Sequence, residues 1–154
     1  MHTSLKALAA IALSLALAAP AVARTPVPII NHHNVSWPQS AERARDLASV
    51  RDRIIEACTA SGWSVSPGAA PDTLVATLVV RNKHTIQTTI TYAIDAFNVT
   101  YHDSVNMNYA VKEPNPYAPG PNTDGFQVRT EVIHPHYNRW VGTLVSAIQT
   151  RLAQ

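Results

Sequence analysis

The fold of this chain is decided by residues 73–101, TLVATLVVRNKHTIQTTITYAIDAFNVTY. Residues 84–94 alternate between apolar and threonine-rich positions, which is typical of a strand with one buried and one wet face. The run 73–81 is apolar at both parities and predicts a central strand, and residues 97–101 continue the alternation. Because only two residues link each pair of runs, the strands should be antiparallel neighbours. The buried face is predicted to carry Ile86, Ile90, Tyr92 and Ile94.

Amphipathic helices flank these strands. Across residues 41–60 apolar side chains recur every three or four positions, with Asp46 or Ser40 available to cap the start and Gly62 to end the helix. Residues 138–153 carry a second set of apolar side chains with the same spacing, which predicts a second helix. The pattern predicts an α+β fold: a two-layer sandwich with an N-terminal and a C-terminal helix on one face of an antiparallel meander sheet of about four to six strands.

Prolines and glycines divide the rest of the chain. Residues 24–39 contain three prolines and no periodicity, which predicts an extended N-terminal arm before a single domain at 40–154. Residues 112–125 contain four prolines and two glycines between two short candidate strands, 107–111 and 126–132. We therefore expect a hairpin with a long Pro/Gly-rich loop.

The first 23 residues have the composition of a signal peptide. Lys6 follows the amino terminus, residues 7–19 are apolar, and Ala21-Val22-Ala23 matches the small-x-small pattern, so cleavage is expected after Ala23. The apolar stretch is shorter than the roughly 20 residues of a spanning helix. No later stretch reaches that length, so we expect a periplasmic or secreted protein with no transmembrane segment after cleavage.

Charge and cysteine content exclude several classes of partner. A formal net charge of +2 gives no general attraction to nucleic acid, and no nucleic-acid partner is expected. Cys58 is the single cysteine, so no internal disulfide can form. No cysteine lies near residue 24, which argues against an N-terminal lipid anchor. No motif implies a cofactor.

Residues 51–152 carry five recognisable segments in a fixed order. They are a predicted helix ending in Gly62-Trp63, the predicted strands 73–80 and Ile86-x-x-x-Ile90-x-Tyr92, the run Tyr101-x-Asp103-Ser104-x-Asn106-Met107-x-Tyr109, and Ile133-His134-Pro135-His136-Tyr137-Asn138-Arg139-Trp140-Val141. Together they resemble a family of small exported proteins of Gram-negative bacteria, many of them lipoproteins, whose function is unknown. This chain departs from the family in lacking the lipobox cysteine and in having a longer connection at 110–132. The resemblance implies an exported compartment and no activity.

One polar and aromatic group stands out as a candidate surface for a ligand or partner. Its two halves should meet if the last helix begins beside the end of a strand. Such residues commonly cap turns and helix starts, but they could also line a shallow site for a sugar, a peptide or an envelope protein, with Arg139 fixing an anionic group. The group comprises Tyr101, Asp103, Ser104, Asn106, Tyr109, His134, Tyr137, Asn138, Arg139 and Trp140.

The leading hypothesis is a non-enzymatic binding or envelope accessory domain. A small hydrolase using Ser104 and His134 is an alternative, although no Gly-x-Ser-x-Gly elbow accompanies the serine. A second alternative is a periplasmic metal-binding protein acting through His134 and His136, two residues that would share one face of a strand if Pro135 did not interrupt it. We assign no catalytic and no metal-binding residues from the sequence.

Overall fold

The computed structural model describes residues 24–38, 46–115 and 128–154. These residues form an α+β fold with two helices and two antiparallel sheets of five and three strands. The predicted signal peptide, Ser40, and most of the predicted loop at 112–125 lie outside the described residues.

Two antiparallel sheets take the place of the single sheet expected from the sequence. The larger sheet has the strand order β2-β6-β5-β4-β3, and the smaller one has the order β1-β8-β7. The hairpin predicted on either side of the Pro/Gly-rich segment exists as β7 and β8, but it joins β1 in the second sheet. The elements are β1 (Val27–Pro28), β2 (His32–Ser36), α1 (Leu47–Ala60), β3 (Ser64–Pro67), β4 (Thr73–Val80), β5 (His84–Tyr92), β6 (Ala96–Val105), β7 (Ala110–Lys112), β8 (Thr130–Ile133) and α2 (His136–Ala153).

The antiparallel pairing of β4, β5 and β6 confirms the prediction from residues 73–101. Ile86, Ile90 and Tyr92 are buried, as the alternation predicts. Ile94 was wrongly placed on that face: it is 52% exposed because β5 ends at Tyr92 and the chain turns before β6.

Thr88 occupies a buried position among these apolar side chains. It is 0% exposed, and its hydroxyl has no hydrogen-bond partner among the residues that the structure describes. A buried hydroxyl without a partner costs free energy, because water solvated it in the unfolded chain.

Thr88→Val should therefore raise the free energy of unfolding, by about 1 kcal/mol, since it removes the hydroxyl and nearly preserves the volume. Thermal unfolding followed by circular dichroism measures the change. Thr89→Val is the matched control, because Thr89 is half-buried and its hydroxyl lies 3.0 Å from His102 Nδ1. A lower melting temperature for Thr88→Val than for the control would contradict the prediction.

The N-terminal segment contributes strands to both sheets, which no periodicity in the sequence indicated. β1 pairs with β8, and β2 pairs with β6 at one edge of the five-stranded sheet. Trp37 follows β2 and is 4% exposed, with its ring centroid 6.1 Å from that of Phe97. The hydrophobic core thus includes a side chain from this segment.

The two helices differ in how their first turns are capped. Asp46 caps α1, as expected, by accepting a hydrogen bond from Ser49 N at 2.7 Å, and Gly62 lies just beyond the helix with a φ of +81°. α2 begins at His136 and has no side-chain cap. Asn138, where the sequence pattern predicted the helix to start, therefore lies inside its first turn. In the part of the chain that is described, no helix has the length and apolarity to cross a membrane.

Candidate functional site

The first turn of α2 organises the residues that the sequence singled out. Successive side chains of this turn reach different surroundings: His136, Arg139 and Trp140 line a cavity, Tyr137 enters the core, and Asn138 contacts the N-terminal segment. The predicted residues are therefore divided between two clusters rather than forming one surface.

The first cluster is aromatic, and we call Tyr101, Tyr109 and Tyr137 the tyrosine cluster. The rings of Tyr101 and Tyr109 are stacked at 4.8 Å, and Tyr137 meets Tyr101 edge-on at 5.7 Å. Tyr109 donates a hydrogen bond of 2.6 Å to Glu131, which together with desolvation raises the pKa of Tyr109 to about 12. Burial also raises the pKa of Tyr137. Because the rings are in contact and Tyr137 is fully buried, the cluster acts as a packing unit.

The second cluster surrounds a cavity of about 330 Å³, which we call the cationic pocket. It lies where the β4–β5 turn, the end of β6 and the start of α2 meet. Three histidines, two arginines and three apolar residues contribute to its lining. The lining residues are Val80, Arg81, His84, Met107, His134, His136, Arg139 and Trp140.

A tight turn brings Arg81 to the cationic pocket. Lys83 N donates to Val80 O at 3.1 Å, and both central residues of the turn are left-handed, with φ of 54° at Arg81 and 51° at Asn82. This is the type I′ geometry that suits the twist of a hairpin. An arginine in this left-handed conformation lowers the free energy of unfolding by about 1 kcal/mol relative to glycine.

Hydrogen bonds fix the orientation of two histidines. His84 Nδ1 lies 2.8 Å from Asn106 O, and because a carbonyl only accepts, this nitrogen carries the proton. His134 has the opposite tautomer: its Nδ1 accepts from His136 N at 3.2 Å, so a neutral His134 carries its proton on Nε2. The backbone of His134 is anchored in turn by donation to Met107 O at 2.8 Å.

The pocket's electrostatics favour neutral imidazoles beside permanent positive charge. Burial lowers the pKa of His134, and the nearby Arg24 and His84 lower it further. The pKa of His136 is lowered by burial and then by Arg139, Arg24, His134 and Arg81. Within residues 24–38, 46–115 and 128–154, neither Arg81 nor Arg139 forms an ion pair, since the salt bridges there involve Arg51, Arg129 and Arg151. The described lining of the pocket contains no carboxylate, so its positive charge is not neutralised by these residues.

The remaining predicted residues support the two clusters. Asn106, left-handed with a φ of 58°, donates from Nδ2 to Lys83 O at 2.7 Å and so ties the end of β6 to the β4–β5 turn. Asn138 donates to Pro28 O at 2.8 Å and accepts from Ile30 N at 3.0 Å, which holds the N-terminal segment against α2. Asp103 is exposed and accepts from Ser104 N at 2.7 Å, so it shapes the strand locally.

The groups named for the two alternative activities have other partners. The Ser104 hydroxyl lies 3.0 Å from the Tyr101 hydroxyl, while His134 Nδ1 accepts from the backbone; no hydrogen bond joins Ser104 to His134 in the described chain. The rings of His134 and His136 lie 4.7 Å apart. Among the described residues, however, no group of three or more metal-ligating side chains is suitably placed for an ion.

Arg81 and His84 are site residues that the sequence did not reveal. The only local signal is the Arg-Asn pair in a turn between two strong strands, which is compatible with a left-handed turn. Nothing in the spacing indicates that the turn would lie beside His134, 50 residues after His84.

Comparison with known proteins adds no relative to this picture: no family model, no curated protein and no solved structure matches the chain.

Proposed function

We propose that this protein is an exported, non-enzymatic binding domain whose cationic pocket takes the anionic group of an envelope component. One observation carries the proposal: Arg81 and Arg139 line the same cavity, and neither has a carboxylate partner in the described chain. Unpaired guanidinium groups that converge on a cavity attract an oxyanion, because their planar donors match carboxylate, sulfate and phosphate geometry.

The rest of the lining specifies the ligand further. His134 lines the pocket together with both arginines, and in its neutral form its Nε2 carries a proton that can be donated. Val80, Met107 and Trp140 form an apolar wall, and Met107 is only 2% exposed. The lining therefore favours a ligand with an oxyanion and a small apolar body, such as the ester of a phosphate or sulfate.

The exported compartment is part of this proposal. It rests on the signal-peptide pattern at residues 1–23 and on the resemblance to small exported proteins. We further infer that both helices form one layer over one face of the five-stranded sheet. Side chains from α1, α2 and the sheet belong to one core cluster, which supports that arrangement.

Calorimetric titration of residues 24–154 with phenyl sulfate at low ionic strength tests the proposal. The expected result is saturable one-to-one binding with a Kd between about 1 μM and 1 mM, the range for a ligand of this size. Benzyl alcohol, a neutral molecule of similar bulk, should not bind. Failure of phenyl sulfate, inorganic sulfate and inorganic phosphate to bind would contradict the proposed function.

Affinity for sulfate should increase about three- to tenfold from pH 7.5 to pH 5.5. The pKa values of His134 and His136 lie below the usual 6.5 in the free protein, so both are neutral at pH 7.5. A bound dianion favours the imidazolium form of His136 and raises its pKa, so binding takes up a proton, whereas His134 stays neutral because its Nδ1 accepts from His136 N. Sulfate itself does not titrate in this range.

The doubly substituted His134→Gln/His136→Gln protein is the control for this pH dependence. It retains Arg81 and Arg139, so it should bind sulfate with an affinity that changes little between the two pH values. Equal affinity of the unaltered protein at both pH values would show that these imidazoles do not face the bound anion.

A further inference from the structure

The end of the five-stranded sheet that carries the cationic pocket also exposes an apolar row on its other face. Val79 lies opposite Thr85, and Thr85 lies opposite Val105, so these residues form one row across β4, β5 and β6. Partners in register share one face of a sheet. Val79 is 55% exposed and Val105 is 53% exposed. Val80, the next residue of β4, belongs to the opposite face and lines the pocket.

The turn between β4 and β5 joins these two surfaces, and we call it the cationic tip. It exposes Arg81 and Lys83, and Arg81 also lines the pocket. Asn106 fixes the turn by donating from Nδ2 to Lys83 O at 2.7 Å. Asp103 lies on β6 two residues before the exposed valine, and its carboxylate accepts from Ser104 N at 2.7 Å. The tip therefore presents positive charge between the pocket and two exposed valines.

Carboxylates lie at the opposite end of the same strands. Asp72 precedes β4 and Asp95 lies between β5 and β6, so both are at the end of the sheet away from the cationic tip. β4 has eight residues and spans roughly 27 Å. This length is well beyond the Debye length of about 8 Å at physiological ionic strength. A negatively charged surface that meets the tip is therefore not repelled by these two carboxylates.

The second helix has the same polarity. α2 begins beside the pocket, and Arg151 lies 15 residues after its first residue, His136, or roughly 22 Å along the helix axis. There Arg151 forms a 2.6 Å ion pair with Glu56, and it shares a surface depression with Asp46 and Asp52. These acidic side chains of α1 and its cap are thus also remote from the cationic tip.

We propose that the cationic tip docks on an anionic membrane surface, where the cationic pocket takes the phosphate of a phospholipid headgroup and Val79 and Val105 enter the interface beside it. Arginine and lysine side chains near an anionic leaflet each contribute favourable free energy. Apolar side chains gain by leaving water at the boundary between headgroups and acyl chains. The pocket and the valines lie on the two faces of one sheet end, so a surface that approaches the tip contacts both. This inference rests on the proposed function and names the bilayer as the source of the anion.

Sedimentation of residues 24–154 with large unilamellar vesicles tests the inference. Phosphatidylcholine vesicles that contain about 30% phosphatidylglycerol should bind the protein at least about tenfold more tightly than vesicles of phosphatidylcholine alone. Val79→Ser/Val105→Ser should weaken binding to the anionic vesicles by about five- to twentyfold, because it removes the apolar contribution. The same variant should bind phenyl sulfate in solution as the unaltered protein does, since neither valine lines the pocket.

Ile94→Ser is the matched control for the loss of exposed apolar side chains. Ile94 is 52% exposed but lies between β5 and β6, at the end of the sheet away from the cationic tip. Its replacement should leave binding to the anionic vesicles unchanged. Circular dichroism should show the same melting temperature for the valine variant and the control, because all three side chains are more than half exposed.

The outcomes separate this inference from the proposed function. If phenyl sulfate binds but both kinds of vesicle bind equally, or the valine variant binds anionic vesicles as the unaltered protein does, the docking inference is overturned and the proposed function stands. Binding of soluble glycerol 3-phosphate without binding to anionic vesicles would also overturn it and would assign the pocket to a free phosphate ester. Absence of binding to phenyl sulfate and to every vesicle would contradict both proposals.

Discussion

Replacing Arg81 and Arg139 together by glutamine should weaken the binding of phenyl sulfate by at least about 100-fold. A hydrogen bond to a charged partner contributes roughly 1.5–3 kcal/mol, so each guanidinium accounts for a factor of about 10 or more. Both side chains line the cationic pocket and are free of ion pairs in the described chain. Calorimetric titration at low ionic strength measures the loss.

A second double variant, Arg51→Gln/Arg129→Gln, removes the same net charge elsewhere. These two arginines form surface ion pairs with Asp52 and Glu113 and do not line the pocket. When both double variants are titrated at an ionic strength of about 0.15 M, the control should bind phenyl sulfate within about twofold of the unaltered protein, since charges farther than roughly 8 Å from the ligand are screened there. Equal weakening in both double variants would show that net charge rather than the pocket governs binding.

The pocket variant should also fold normally. Arg139 lies in the first turn of α2, a turn without acidic side chains. Positive charge there is unfavourable because the start of a helix is itself the positive end of the helix dipole. The Arg81→Gln/Arg139→Gln protein should therefore melt at or above the temperature of the unaltered protein, which separates a binding defect from a folding defect.

Trp37→Ala should lower the free energy of unfolding by about 3–5 kcal/mol, the usual cost of truncating a buried aromatic residue. Trp37 is 4% exposed and packs against Phe97, which is fully buried. Its loss leaves a cavity between the N-terminal segment and the five-stranded sheet. The melting temperature should fall by about 10–20 °C, as measured by scanning calorimetry.

Ile30→Ala provides the control within the same segment. Ile30 is 54% exposed, so its truncation should change the free energy of unfolding by less than about 0.5 kcal/mol. If Trp37→Ala melted at the same temperature as the control, the N-terminal segment would be a loosely attached arm rather than part of the core.

Local patterns were sufficient to predict the central strands and the first helix. The alternation over residues 84–94 and the apolar run at 73–81 identified β5 and β4, because a half-buried strand must place apolar groups at every second position. The Asp46 cap and Gly62 bounded α1 for an equally local reason. The same reasoning failed for Ile94, where the chain turned before the periodicity ended.

The two short strands of the N-terminal segment could not be found in this way. β1 has two residues and β2 pairs irregularly, with a register shift between His32 and Val35. Their stability comes from partners more than 60 residues away, such as Val99 opposite His32 and Ile133 opposite Val27. No local periodicity encodes such pairings, so a proline-rich segment resembles a free arm in the sequence.

The sequence by itself determined the α+β class, the antiparallel order of the central strands and the polar character of the segment from His134 to Trp140. These features depend on neighbours within a few residues, so composition and spacing carry them. Only the tertiary structure placed Arg81 and His84 beside His134 and Arg139, and separated the tyrosine cluster from that pocket. Convergence of side chains from distant segments depends on how the turns, sheets and helix pack, and the packing free energy that selects one arrangement is a property of the whole chain.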